Sequence, residues 1–172
     1  MKTQSFLIAT VFTIVFTSCD YMGSVRFWND TDTGLGVHMA YGYFPPRSWS
    51  SYPDTLLPKV DEELFKVMFM RVSRHSERDL IWEIGTWRMN DNHVIDEMIP
   101  VDTVCIFIIH PDTFQKYGYL GMVEDYNILA RYDLSKKDLK QLNADIHYPP
   151  TPAMQNMKMY PSYKQILNNI SK

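Results

Sequence analysis

Cys19 offers the most definite chemistry in this chain. It closes the stretch Phe16-Thr17-Ser18-Cys19 at the end of an apolar run, and no charge stands between Lys2 and Asp20. An ionised thiol is the strongest nucleophile in such a stretch, so the natural reaction there is transfer of a group to sulfur. Other reactive side chains are scattered. His38, His75, His93, His110 and His147 are far apart in sequence, with no pair at ligand spacing, and each is expected to be a surface or hydrogen-bonded residue. The serine-hydrolase elbow, the zinc-protease helix, the phosphate-binding loop and the CxxC pair are all absent from the sequence.

Three further patterns invite chemistry and fall short of it. Asp30, Asp32 and Gly34 alternate as in a calcium loop. Counted from Asp30, however, the glycine position holds Leu35 and the bidentate glutamate position holds Tyr41. A turn is expected there. Glu62 with Glu63, and Glu124 with Asp125, are adjacent carboxylates. Glycoside hydrolysis needs two carboxyls facing each other across a groove, which adjacency does not supply. Met154, Met157 and Met159 could in principle hold Cu(I), but thioethers on such a segment are expected to fill hydrophobic gaps. No metal or cofactor is expected.

The leader determines where the chain should work. Lys2 supplies a short positive region, and Phe6 to Phe16 an apolar stretch of about 11 residues, too short to span a bilayer. Thr17, Ser18 and Cys19 resemble the bacterial lipobox, with Phe16 where leucine is usual. A plain secretory leader is the alternative. On the lipobox reading, residues 1–18 are removed, Cys19 carries the lipid and residues 19–24 form a tether. Acyl chains contribute about 0.8 kcal/mol per buried methylene, so several of them hold a protein firmly to a membrane. The chain is then exported and anchored in the cell envelope, on its periplasmic face or at the cell surface.

Removing the leader takes the net charge from −3 to about −4, because Lys2 is lost. Nucleic acid is therefore not an expected partner. The roughly 150 residues that remain suit one domain, with residues 25–150 as its body. Residues 151–172 form a methionine-rich tail that either docks through one short helix or moves freely. Only Cys105 remains beside Cys19, and no disulfide framework is needed. Aromatic residues make up 14% of the chain, as suits a β core or a binding surface. Trp49, Tyr52, Trp82 and Trp87 form the expected binding patch. Asp54-Thr55-Leu56 is similar to a short O-glycosylation motif, with Thr55 as acceptor; Asp102-Thr103-Val104 matches it too, inside an expected strand.

Alternation predicts strands at Val25–Asn29 and Leu35–Phe44, joined by the Asp30–Gly34 turn. Four prolines between Pro45 and Pro58 mark a loop or edge. "ELFKVMFMRVS" fits either period and is read as a strand, and "DLIWEIG" as another. "NDNHVIDEMI" reads as a helical turn. "VDTVCIFIIH" is apolar on both faces, hence a central strand with Cys105 as a core residue, ended by "HPDTF". Residues 135–143 predict a helix: Ser135 caps it, Asp138 completes the box, Leu134 and Leu139 form a staple, and Asn143 takes the left-handed stop. Ile146 and Tyr148 share one face of a last short strand. The fold class expected is a single β-rich α+β domain, a mostly antiparallel sheet or sandwich with that helix at one end.

The stretches "VRFWNDTDTGLGVHMAYGYFP", "YPDTLLP", "VDTVCIFIIHPDTF" and above all "ILARYDLSKKDLKQLNADIHYPP" resemble a family of small exported proteins of Bacteroides-type gut bacteria. The last carries Arg131, Tyr132, Asp133, Leu134, Ser135, Asp138, Leu139, Asn143, Tyr148 and Pro149. The resemblance implies a compartment and no catalytic residues. The expected role is a non-enzymatic envelope lipoprotein that binds a protein or glycan; the alternative is a polymer-degrading hydrolase whose carboxylates converge only in the fold. Mass spectrometry of the mature chain should find Cys19 first and diacylated. An unmodified terminus elsewhere refutes the anchor.

Overall fold

The computed structural model describes residues 24–40, 63, 69–82, 95–96, 99 and 102–170. Cys19, Trp49, Tyr52, Thr55, Trp87 and His93 lie outside them. So do the proline-rich segment, residues 64–68 of "ELFKVMFMRVS" and most of "NDNHVIDEMI".

Among the described residues, eight strands form two sheets. The strands are β1 (Ser24–Asn29), β2 (Leu35–Ala40), β3 (Met70–Val72), β4 (Ser76–Trp82), β5 (Thr103–Ile109), β6 (Ala130–Ser135), β7 (Asp145–Tyr148) and β8 (Lys158–Tyr160). The three-stranded sheet runs β4-β1-β7 and the five-stranded sheet β3-β2-β5-β6-β8. Every pairing is antiparallel except β1 with β7. Ser24, expected in the tether, is buried as the first residue of β1.

Period-two alternation builds the space between the sheets. Val25, Phe27 and Ile146 from one sheet meet Val37, Val104, Ile106, Ile108, Tyr132 and Leu134 from the other, all fully buried. β5 is apolar on both faces because its second face is covered too. Cys105, Phe107 and Ile109 pack with Met122 and Phe114 of the helix α1 (Pro111–Glu124). No helix was expected here, because "HPDTF" reads as a strand stop. His110 caps the helix, accepting from Asp112 N, and Pro111 enters at the first turn, where its missing N–H costs nothing. Gly118 then breaks it at φ 66°, a conformation costly for any residue with a Cβ.

The second helix, α2 (Lys136–Gln141), follows the sequence pattern closely. Ser135 and Asp138 form the reciprocal capping box, and Leu134 and Leu139 are fully buried. The chain leaves α2 through two successive left-handed residues, Asn143 (φ 51°) and Ala144 (φ 62°). Only the first was expected. Ala144 N donates to Leu139 O, and Ala144 O accepts from Arg26 N, so the reversal carries the chain directly onto β1.

Residues 151–170 are docked on the domain. β8 pairs with β6, while Met154, Met157 and Ile166 enter the main core. The helix α3 (Tyr163–Ile170) follows. Composition suggested a tail because this segment is polar overall; its few apolar side chains are enough to seat it.

Asn29 holds the corner where the chain passes between sheets twice. It is fully buried. Its Nδ2 lies 2.8 Å from Thr33 O, 2.9 Å from Ser73 O and 3.2 Å from Val72 O. Its Oδ1 accepts from Thr31 N at 3.0 Å and Thr31 Oγ1 at 2.7 Å. One amide thus joins the β1–β2 turn to the β3–β4 turn. Asn29→Ala leaves buried carbonyls without their donor, at about 1–3 kcal/mol for the strongest loss. Thermal denaturation should show a Tm lowered by roughly 5–10 °C. Asn29→Asp, equal in size but without the donors, should fare no better.

Candidate functional site

Among the described residues, two groups of polar side chains concern the sheets, one buried and one half-buried on an outer face. The buried group lies on β6 and β5 beneath α1. Arg131 Nε donates to Asp133 Oδ1 at 2.8 Å and Nη2 to Oδ2 at 3.2 Å. Cys105 Sγ donates to the same Oδ1 at 3.0 Å, and Lys158 Nζ lies 3.1 Å from Oδ2. Arg131 Nη1 donates to the Tyr126 hydroxyl, with its guanidinium 5.9 Å from that ring. The Arg131 and Asp133 side chains are 10% and 4% exposed, so this carboxylate is reached by protein groups rather than by substrate.

Burial pushes the Asp133 carboxyl up, but the hydrogen bonds from Cys105, Lys158 and Arg131 and the Arg131 charge hold it below its ordinary value. Burial raises the Tyr126 hydroxyl, and burial with the neighbouring Tyr148 raises Tyr132 well above the usual phenol. Both remain protonated; the Tyr126 hydroxyl accepts from Arg131, and Tyr132 Oη donates to His147 O at 3.2 Å, tying the five-stranded sheet to β7. Cys105 is the core residue expected from the strand pattern. Its bond to Asp133 was not legible, because the two are 28 residues apart and meet only through the β5–β6 register.

The half-buried group lies on the outer face of the three-stranded sheet. On β1, Val25, Phe27 and Asn29 point into the core, so Arg26 and Trp28 point out. On β7, Ile146 and Tyr148 point in, so Asp145 and His147 point out. The parallel register sets Arg26 beside Asp145 and Trp28 beside His147. Arg26 Nε lies 2.7 Å from Asp145 Oδ1, and Trp28 Nε1 donates to the same oxygen at 3.0 Å. The Trp28 and His147 rings lie 5.8 Å apart with planes 8° from parallel, and His147 Nδ1 is 2.7 Å from Asp30 Oδ2. A chain of contacts runs Arg26, Asp145, Trp28, His147, Asp30, half-buried along its length and exposed at Asp30. Beside it His75 Nε2 meets Asp32 Oδ1 at 2.9 Å.

The Asp30–Gly34 segment is thus a turn, as its residue types imply, with its aspartates turned to histidines. No group of three or more His, Cys, Asp and Glu side chains converges on a common point among the described residues. Of the expected patch, Trp82 supplies the last backbone position of β4 opposite Ser24. The site residues that sequence reasoning missed are Arg26, Trp28, Asp30, Asp145 and His147. Alternation already places four of them on outward faces; the parallel pairing of strands more than 100 residues apart left no local signal.

The fold defines a two-sheet, β-rich α+β domain with an aromatic and charged outer face. Comparison with protein-family models, curated proteins and solved structures finds no match to this chain.

The lowered Asp133 value has a pH consequence. A carboxylate lowered in the fold stabilises it above the unfolded-state value and loses that contribution as pH falls through the folded one. Acid titration of stability should therefore show a loss below about pH 4 that Asp133→Asn lacks, because the variant has no proton to take up. Arg131→Met should cost about 3–5 kcal/mol at neutral pH by stranding the buried carboxylate. Denaturant unfolding checks both.

Proposed function

We propose that the chain is an exported lipoprotein of the cell envelope, anchored through Cys19, that binds a protein or glycan partner without catalysing a reaction. The outer face of the β4-β1-β7 sheet is the binding surface. The single observation that carries this reading is the ordered Arg26–Asp145–Trp28–His147–Asp30 row on a solvent-facing sheet. An aromatic side chain held by neighbours presents contact area without losing much rotamer freedom on binding. Asp145 is already engaged by Arg26 and Trp28, and Asp30 by His147, which favours recognition over acid–base hydrolysis. The lipobox-like leader and the likeness to small exported proteins of Bacteroides-type bacteria support the compartment.

Interferometry against envelope polysaccharides and envelope proteins should give a ligand whose affinity falls about tenfold, or 1.4 kcal/mol, in Trp28→Ala. The same ligand should be indifferent to Tyr117→Ala on α1, where Tyr117 is 45% exposed. Ligands insensitive to Trp28 refute the assignment of this face.

A further inference from the structure

Register across the three-stranded sheet sets two rows of side chains on its outer face. β4 lies antiparallel to β1, with Glu77 opposite Trp28 and Asp79 opposite Arg26. Residues directly opposite share a face. Adding β7, one row reads Glu77, Trp28, His147 and the other Asp79, Arg26, Asp145. Arg78 stands opposite inward-facing Phe27 and so leaves the outer face at the sheet edge. Asp30 stands at the end of β1, against His147. Four carboxylates thus surround one guanidinium and one indole. Glu77 and Asp79 are exposed and meet no cation among the described residues, whereas Asp145 is held by Arg26.

We infer that this face docks a lysine- or arginine-bearing segment of a protein partner, an inference that rests on the binding reading above and names its ligand. Charge complementarity selects the occupant. The carboxylate excess repels acidic polymers and leaves a neutral glycan without a reason for Glu77 and Asp79 to be there. A basic side chain meets Glu77 and Asp79 on β4, and its alkyl stem or a neighbouring cation crosses the Trp28 ring.

The test uses the purified full chain with fluorescein-labelled hexalysine and, separately, a neutral hexasaccharide, read by fluorescence anisotropy. Hexalysine should bind and weaken about tenfold between 50 and 500 mM NaCl. Glu77→Gln with Asp79→Asn should weaken it about fivefold or more, as should Trp28→Ala, with circular dichroism unchanged. Glu124→Gln with Asp125→Asn, on exposed positions at the end of α1, should leave it unaffected. Equal weakening by the α1 pair reveals unspecific attraction and overturns the inference, as does absence of hexalysine binding. Hexasaccharide binding that is lost in Trp28→Ala but indifferent to Glu77 and Asp79 overturns the cationic ligand while keeping the face as a binding surface.

Discussion

The amide of Asn29 is the point on which the two-sheet arrangement turns. Strands β1 and β4 lie in one sheet and β2 and β3 in the other, so the chain must cross between sheets at both Asp30–Gly34 and Ser73–His75. Crossings bend the backbone away from ladder partners and leave carbonyls facing inward. A buried carbonyl without a donor is expensive, and Asn29 supplies donors to both turns while its own oxygen is satisfied by Thr31. An apolar residue of the same size could fill the space but could not join the two turns. The outer face depends on this joint, since Asn29 ends the strand that carries Arg26 and Trp28 and sets where Asp30 emerges.

The two polar groups divide the work according to their access to water. Around Asp133 the charges are enclosed, matched by bidentate geometry and supported by the Cys105 thiol and Lys158. Such a pair adds little net stability over a well-packed apolar replacement, but breaking it is costly. It fixes the β5–β6 register beneath α1 and lets β8 close the sheet edge. On the opposite sheet the charges stay wet, where ion pairs contribute little to stability.

Local patterns made much of the fold legible. The Ser135–Asp138 box, the Leu134–Leu139 staple and the Asn143 stop all depend on residues within one or two helical turns, and all appear in the structure. The two-faced apolarity of β5 announced a covered sheet, although the cover, α1, went unrecognised because a proline and two glycines disguised a broken helix. The docking of the methionine segment was left open for a related reason: composition averages over residues, whereas docking depends on which few point inward. Alternation places Trp28 and His147 on outward faces, yet their stacking left no local mark, because the two strands meet only through the parallel register.

By itself the sequence determined the alternation of strands, the capped helix and the turn chemistry, since each follows from side chains within a few residues of one another. Tertiary structure alone decided that β7 runs parallel to β1, that β4 flanks them on the other side, and that Asn29 joins two crossings. Those are contacts between residues up to 119 apart in the chain. Nothing local encodes them, because they are chosen by which faces must be buried together, and the surface most suited to binding is what that burial leaves outside.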